Sequence, residues 1–188
     1  PDIKLCSYIR ASILLMGPLL ARMGNLELSP PGGDIIGARR IDSHFEGMES
    51  LGVEFEFTKQ IKANVKNLKG HEIFLDEPSV TATENLVMLA TAAEGLTVIH
   101  NAACEPHVRG LCQMLRALGA KISGIGSNRL EIHGGHTLDG GSHTISPDFM
   151  EVGSFLCLGA ISRGKIKIEK VEPKDLRFTL KTLARIGI

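Results

Sequence analysis

Ala93-Glu-Gly-Leu-Thr-Val-Ile-His100 reads as a helix end, a turning glycine and a β-rich run, and the chain carries the same signal three times. Its counterparts are Ala21-Arg-Met-Gly-Asn-Leu-Glu-Leu28 and Ser162-Arg-Gly-Lys-Ile-Lys-Ile168, with Gly24, Gly95 and Gly164 as the pivots. Each run follows an apolar helical stretch and leads to a second, amphipathic one, which ends in Leu51-Gly-Val53, Leu118-Gly-Ala120 or Ile186-Gly-Ile188. Gly52, Gly119 and Gly187 recur 67 and 68 residues apart. That period is too long for a simple solenoid repeat. It suits an α/β fold of repeated helix–strand–helix–strand–strand modules, each burying one sheet face under two helices.

Local chemistry supports the module. Thr81-Ala-Thr-Glu84 reads as a capping box on the first helix of the second copy, and Asp148 with Glu151 does the same in the third. Pro106 and Pro173 stand where a first-turn proline is tolerated, and Gly52, Gly119 and Gly187 serve as left-handed stops. Strand pairs are expected at Val53–Phe57 with Ile61–Val65, and at Lys121–Ser123 with Arg129–His133. The third copy stops where its strand pair should begin, so the 188 residues are expected to be a segment of a longer chain. Its unpaired edges imply aggregation or dimer formation.

Composition narrows the function. Lys plus Arg (21) balances Asp plus Glu (21) with no basic run, so nucleic-acid binding has little support, whereas a small anion remains open. With 43% hydrophobic residues a buried core is expected, and the apolar stretch from Ile13 to Leu20 is broken by Gly17 and Pro18, short of a membrane span. Cys6, Cys104, Cys112 and Cys157 form no CxxC pair, which argues for reduced, buried thiols. No signal or transit sequence is visible. These features point to a soluble, cytosolic protein.

The densest chemistry lies in Ser29-Pro-Pro-Gly-Gly-Asp-Ile-Ile-Gly-Ala-Arg-Arg40. The prolines stiffen the entrance, Gly32 and Gly33 give backbone freedom, and Asp34 is presented at the tip of a strand-to-helix loop. Arg39 and Arg40 then stand at a helix start, where guanidiniums and free amides can together hold an anion. The alternative is an Asp-capped turn with solvated arginines. His44, one turn beyond Arg40, could face the same ligand. In Asp76-Glu-Pro-Ser-Val-Thr-Ala-Thr83, Ser79 and Thr81 could bind a phosphate through hydroxyl and amide groups, the alternative being plain capping of the helix by Thr81. Arg10 opens an otherwise apolar helix from Ala11 to Met23, where it could also snorkel to the surface. His133, His136 and His143 show no metal-ligand spacing, and neither a dinucleotide fingerprint nor a phosphate-binding GK[ST] loop is present.

Arg10-Ala-Ser12, Gly17-Pro18, Pro31-Gly-Gly-Asp-Ile-Ile-Gly-Ala-Arg39, Asp42 with His44, Pro78-Ser-Val-Thr-Ala-Thr-Glu-Asn85, Asn101-Ala-Ala103 with Glu105-Pro106, Leu118-Gly-Ala-Lys-Ile122, and Pro147-Asp148 with Ile161-Ser-Arg-Gly164 resemble the UDP-N-acetylglucosamine 1-carboxyvinyltransferases, also called UDP-N-acetylglucosamine enolpyruvyl transferases. The resemblance runs in order from Arg10 to Gly187. It implies the inside-out α/β prism of enolpyruvyl transferases, with two repeats of the first domain over 1–147 and the start of the second over 148–188. Family chains are more than twice as long and carry six copies of the repeat.

The resemblance also implies a reaction: the enolpyruvyl group of phosphoenolpyruvate moves to the 3-hydroxyl of UDP-N-acetylglucosamine and phosphate leaves, the first committed step of peptidoglycan synthesis. It implies no metal and no organic cofactor. By carry-over Asp34 is the acid and Arg39 the phosphoenolpyruvate contact. Arg10, the run Arg39, Arg40, Ile41, Asp42, Ser43 with His44, and Glu77, Pro78, Ser79, Val80 with Thr81 would line the UDP-sugar site. Most family members have cysteine where this chain has Asp34, so insensitivity to the thiol-alkylating epoxide fosfomycin is expected. Arg40 stands where proline is usual and Phe149 where arginine is usual. Further catalytic groups of the family would lie outside these residues, so the segment alone should not turn over. Two other readings stay open: the shikimate-pathway relative, 5-enolpyruvylshikimate 3-phosphate synthase, whose Asn-Ala-Gly-Thr motif is absent, and a non-catalytic UDP-sugar-binding paralogue.

Overall fold

In the computed structural model, residues 1–33 and 40–188 are described, and they form two compact units, Pro1–His143 and Thr144–Ile188. The first unit holds two copies of the module. It begins with a short helix α1 (Ile3–Cys6), a 3-10 segment (Arg10–Leu15) and α2 (Met16–Met23). Strand β1 (Asn25–Leu28), α3 (Asp42–Ser50), β2 (Val53–Phe57) and β3 (Ile61–Val65) complete the first copy. The second comprises β4 (Glu72–Phe74), α4 (Val80–Ala90), β5 (Gly95–His100), α5 (Pro106–Ala117), β6 (Lys121–Ser123) and β7 (Arg129–Gly134).

Each copy builds its own sheet. The first has the order β1-β3-β2, all antiparallel, and the second β4-β5-β7-β6 with β4 parallel to β5. The turning glycines do what β-rich runs after helices require: Gly24, Gly52, Gly95 and Gly119 all lie at positive φ, between 72° and 101°. Alternation within strands sets which face is covered, as in β1, where Leu26 and Leu28 are buried while Asn25 and Glu27 are exposed. Strand β4 is an addition to the expected module. Its three residues are too few to give a period, and it forms because β5 offers it a parallel partner.

Helix α4 lies against α2, α3 and α5. Leu86, Val87 and Leu89 are completely enclosed, and full burial of each stabilises by about 1.5–3 kcal/mol. Close approach depends on missing side chains. A Cβ on Gly17 of α2 would sit 2.5 Å from the Asn85 carbonyl oxygen, and one on Gly47 of α3 would sit 2.6 Å from Leu86 Cδ1. The expected cap of α4 is corrected: Ser79, in extended conformation, is the N-cap and accepts from the Ala82 N–H at 3.3 Å, while Thr81 lies inside the first turn.

The second unit contains α6 (Phe149–Ile161), a 3-10 turn (Pro173–Leu176) and α7 (Arg177–Arg185). Asp148 caps α6 as its position suggested, accepting from the Met150 and Glu151 amides. The strand expected at Lys165–Ile168 is absent from these described residues. Gly164 is not left-handed there; Arg163, at φ 50°, takes the positive-φ position instead. Of the four thiols, Cys6 and Cys112 are buried but Cys104 and Cys157 are exposed, which corrects the expectation that all are enclosed. Burial, with Glu84 nearby as a lesser cause, pushes the Cys112 thiol up to about 11. No helix among the described residues is long and apolar enough to cross a membrane.

Candidate functional site

The two copies of the first unit meet where the 3-10 segment and the start of α3 approach the N-terminus of α4. A polar cleft of about 640 Å³ opens there, lined by Arg10, Ala11, Arg40, Glu77, Ser79, Val80 and Thr81. Its composition follows from helix-end chemistry. The cap at Ser79 leaves first-turn amides without intrahelical acceptors, and they face outward with the positive end of the α4 dipole. Arg10 and Arg40 add two guanidiniums, that of Arg40 paired with Asp42 and close to Asp76, and Glu77 is the one carboxylate among the lining residues.

Side-chain bonds set the rim. Arg10 Nη2 donates to the Arg40 carbonyl at 3.0 Å, tying the start of the 3-10 segment to the residue two before α3. Arg40 in turn grips Asp42 through Nε, which is 2.9 Å from Oδ2, and lies 3.5 Å from Asp76 across the cleft mouth. The hydrogen bond from Arg40 holds the Asp42 carboxyl below its ordinary range, and the same bond raises Arg40. Gly33, at φ 94°, packs against Arg10 with a notional Cβ only 3.3 Å from the Arg10 side chain. Of the two residues flanking the stretch 34–39, Arg40 is hydrogen-bonded to Arg10, and Gly33 has room beside Arg10 only because it carries no side chain. Asp34 and Arg39 themselves lie outside the described residues.

The cleft brings together Arg10, Arg40, Glu77, Ser79, Val80 and Thr81 from the sequence-derived set. Pro78 is exposed beside it, and Ile41 and Asp42 are partly buried at the start of α3. Ser43 is buried, and its hydroxyl has no partner among the described residues. His44 is placed differently from a ligand-facing residue. The residue is 2% exposed, with Nδ1 2.9 Å from Asn85 Nδ2 and Nε2 3.2 Å from Thr81 Oγ1. Burial, helped by the charge of Arg10, pushes its pKa down to about 4, so the ring is neutral near pH 7.

Asn85 closes the motif Pro78–Asn85 and carries no expected chemical role in the sequence. It is fully enclosed, and besides His44 it accepts from the Gly17 N–H at 2.9 Å and donates to the Ile13 carbonyl at 2.9 Å. The available signal was an amide on the apolar side of α4, between the enclosed residues Thr83 and Leu86. Such a group must be satisfied by specific partners.

The family model described as EPSP synthase (3-phosphoshikimate 1-carboxyvinyltransferase) matches residues 1–188. The chain is similar to the UDP-N-acetylglucosamine 1-carboxyvinyltransferase of Treponema denticola, 53% identical over 184 residues, which cover 98% of this chain and 43% of that protein. It is 49% identical to the protein of that name from Borreliella burgdorferi over 188 residues, covering 100% of this chain and 44% of the relative. The chain therefore spans less than half the length of these relatives. Among solved structures, the enolpyruvyl transferase NikO from Streptomyces tendae is similar with a TM-score of 0.71 at 24% identity, covering 84% of this chain and 38% of that one. An EPSP synthase from Acinetobacter baumannii gives 0.60 at 22%, covering 80% and 34%. At those identities the two structures speak to the fold.

Proposed function

The chain belongs to the EPSP synthase family, and from that premise we propose that it is part of a UDP-N-acetylglucosamine 1-carboxyvinyltransferase, transferring the enolpyruvyl group of phosphoenolpyruvate to the 3-hydroxyl of UDP-N-acetylglucosamine. The observation that carries this reading is the 53% identity, over nearly the whole chain, to an enzyme of that name. The donor-rich cleft supports it, since a nucleoside diphosphate sugar brings a diphosphate that suits two guanidiniums and a helix N-terminus.

In this reading the first-domain segment is 1–147 and residues 148–188 begin the second domain, in a cytoplasmic enzyme of peptidoglycan synthesis. Arg10, Arg40 and the α4 start hold the UDP-sugar, with the run from Ile41 to His44 supporting one wall. Arg39 holds phosphoenolpyruvate. The Asp34 carboxyl protonates the methylene carbon while a base outside this segment takes the sugar hydroxyl proton; the sugar oxygen adds to the adjoining carbon. Phosphate then leaves as a proton is lost from the new methyl group, which restores the double bond. A carboxyl can serve as that acid when partial burial or coupling to substrate raises its pKa. It offers no thiolate, so fosfomycin should not inactivate the enzyme. Time-dependent alkylation with Asp34 intact would contradict that expectation.

The test is phosphate release from phosphoenolpyruvate by the full-length protein containing these residues. Release that requires UDP-N-acetylglucosamine and collapses in Asp34→Asn is the expected result. Release driven by shikimate 3-phosphate instead would favour the synthase reading, and sugar binding without release would favour a non-catalytic paralogue.

A further inference from the structure

Two buried side chains behind the cleft, Asn85 and His44, have their hydrogen positions fixed by the backbone. The Gly17 N–H can only donate, so the Asn85 atom facing it at 2.9 Å is the carbonyl Oδ1. The Ile13 carbonyl can only accept, which places Asn85 Nδ2 on that side. The second hydrogen of Nδ2 then points at His44 Nδ1, 2.9 Å away, so Nδ1 must be the unprotonated nitrogen. A neutral imidazole with a bare Nδ1 carries its proton on Nε2, and Nε2 faces Thr81 Oγ1 at 3.2 Å. Thr81 therefore receives a hydrogen bond from behind, and its own hydroxyl hydrogen is left for the cleft that the residue lines.

We infer that Asn85 and His44 form a positioning relay that makes the Thr81 hydroxyl a committed donor, seating an acceptor oxygen of the ligand, of the phosphate type, at the start of α4. With the opposite His44 tautomer the hydroxyl would turn inward and present only a lone pair to an anion. The relay also couples the two copies of the module, because Gly17 and Ile13 belong to the first and Thr81 and Asn85 to the second. Neutrality of the ring agrees with the direction of the His44 shift. The inference rests on the reading of the cleft as a UDP-sugar site only for the identity of the ligand. The tautomer stands on the geometry alone.

The experiment has two arms. In the first, nitrogen-15 shifts of the histidine rings are recorded on the unliganded chain, with His44→Gln identifying the His44 signals. The expected pattern is an unprotonated Nδ1 with a protonated Nε2; a protonated Nδ1 overturns the relay. In the second arm, UDP-N-acetylglucosamine and inorganic pyrophosphate are titrated into the full-length protein containing these residues and into its Thr81→Ser and Thr81→Val variants. Loss of one hydrogen bond to a charged acceptor corresponds to a weakening of about tenfold or more. The serine variant should stay within about threefold of the parent, and the isosteric valine variant should show the loss.

Equal affinity in all three overturns the donor role even if the tautomer is as inferred. Binding of pyrophosphate but not the UDP-sugar, with the valine loss intact, would support the relay and count against the proposed substrate. Failure of both ligands overturns the seat itself.

Discussion

Helices α4 and α6 are the first helices of the second and third copies of the module, both start from a side-chain cap, and they end in different surroundings. Helix α4 encloses Ala82, Thr83, Asn85, Leu86, Val87, Leu89 and Ala90, whereas α6 buries Val152 and Gly159 and leaves Met150, Phe155, Leu158 and Ile161 exposed. A cap and apolar residues suffice to start a helix, because both act within one turn. Enclosure needs neighbours. Around α4 these are three helices, in a unit where each copy has formed its own sheet; around α6 the run Lys165–Ile168 has no strand partner among the described residues. β-propensity describes a side chain on an already paired surface, so the same Ile-Lys-Ile signal that resembles a strand stays irregular when no ladder is offered.

The difference can be broken by truncating matched leucines. Leu86→Ala should cost about 3 kcal/mol or more, read as a fall in the urea midpoint of the Pro1–His143 unit at unchanged slope. Leu158, 53% exposed on α6, should cost less than about 1 kcal/mol on the same change. A large cost at Leu158 would show that the face is covered in solution, and a concentration dependence of that cost would identify a second copy as the cover.

Much of the module could be read from sequence because its punctuation is local. Gly52 and Gly119 sit at positive φ, Pro106 occupies the first turn of α5, and the pairs β2–β3 and β6–β7 lie in register where alternating apolar residues place them. What escaped depends on contacts distant in sequence. Strand β4 is defined by β5 rather than by its own three residues. Thr81 and Ser79 both have capping chemistry, and only the backbone at Ser79, with φ −71° and ψ 120°, decides between them. At the site, Arg10, Arg40 and the α4 start were legible from the resemblance as a set. The Asn85 network was not, because its partners Ile13 and Gly17 are 72 and 68 residues away.

Acid should act on the two units differently. His44 has a folded pKa near 4 against an ordinary value of 6.5, so the unfolded chain binds the proton first. The associated stability is complete above about pH 6.5 and is lost as pH falls toward 4, amounting to about 3 kcal/mol at the acid end. Glu84 acts in the opposite sense, since burial raises its carboxyl and favours the folded state at low pH, which offsets part of the loss. Residues Thr144–Ile188 contain no histidine. Amide exchange corrected for intrinsic rates should therefore show opening of α4 between pH 7 and 5 without a matching change in α6 and α7. An α4 whose protection is flat across that interval in the parent chain would contradict the buried neutral His44.

The smallest effect tests the feature the two helices share. Ser79 accepts one first-turn amide at 3.3 Å, while Asp148 accepts from Met150 at 2.8 Å and Glu151 at 3.4 Å and adds a negative charge at the positive end of its helix. Replacing either by alanine should cost about 1 kcal/mol, with Asp148→Ala the larger of the two. Asp148→Asn keeps the acceptor and should recover most of that loss, salt dependence marking the part due to charge. Thr81→Ser should leave first-turn protection of α4 unchanged because Thr81 is not the cap. Should Ser79→Ala leave those amides as slow to exchange as before, the start of α4 would be held by its packing alone, and the likeness between the two helix starts would end at their sequences.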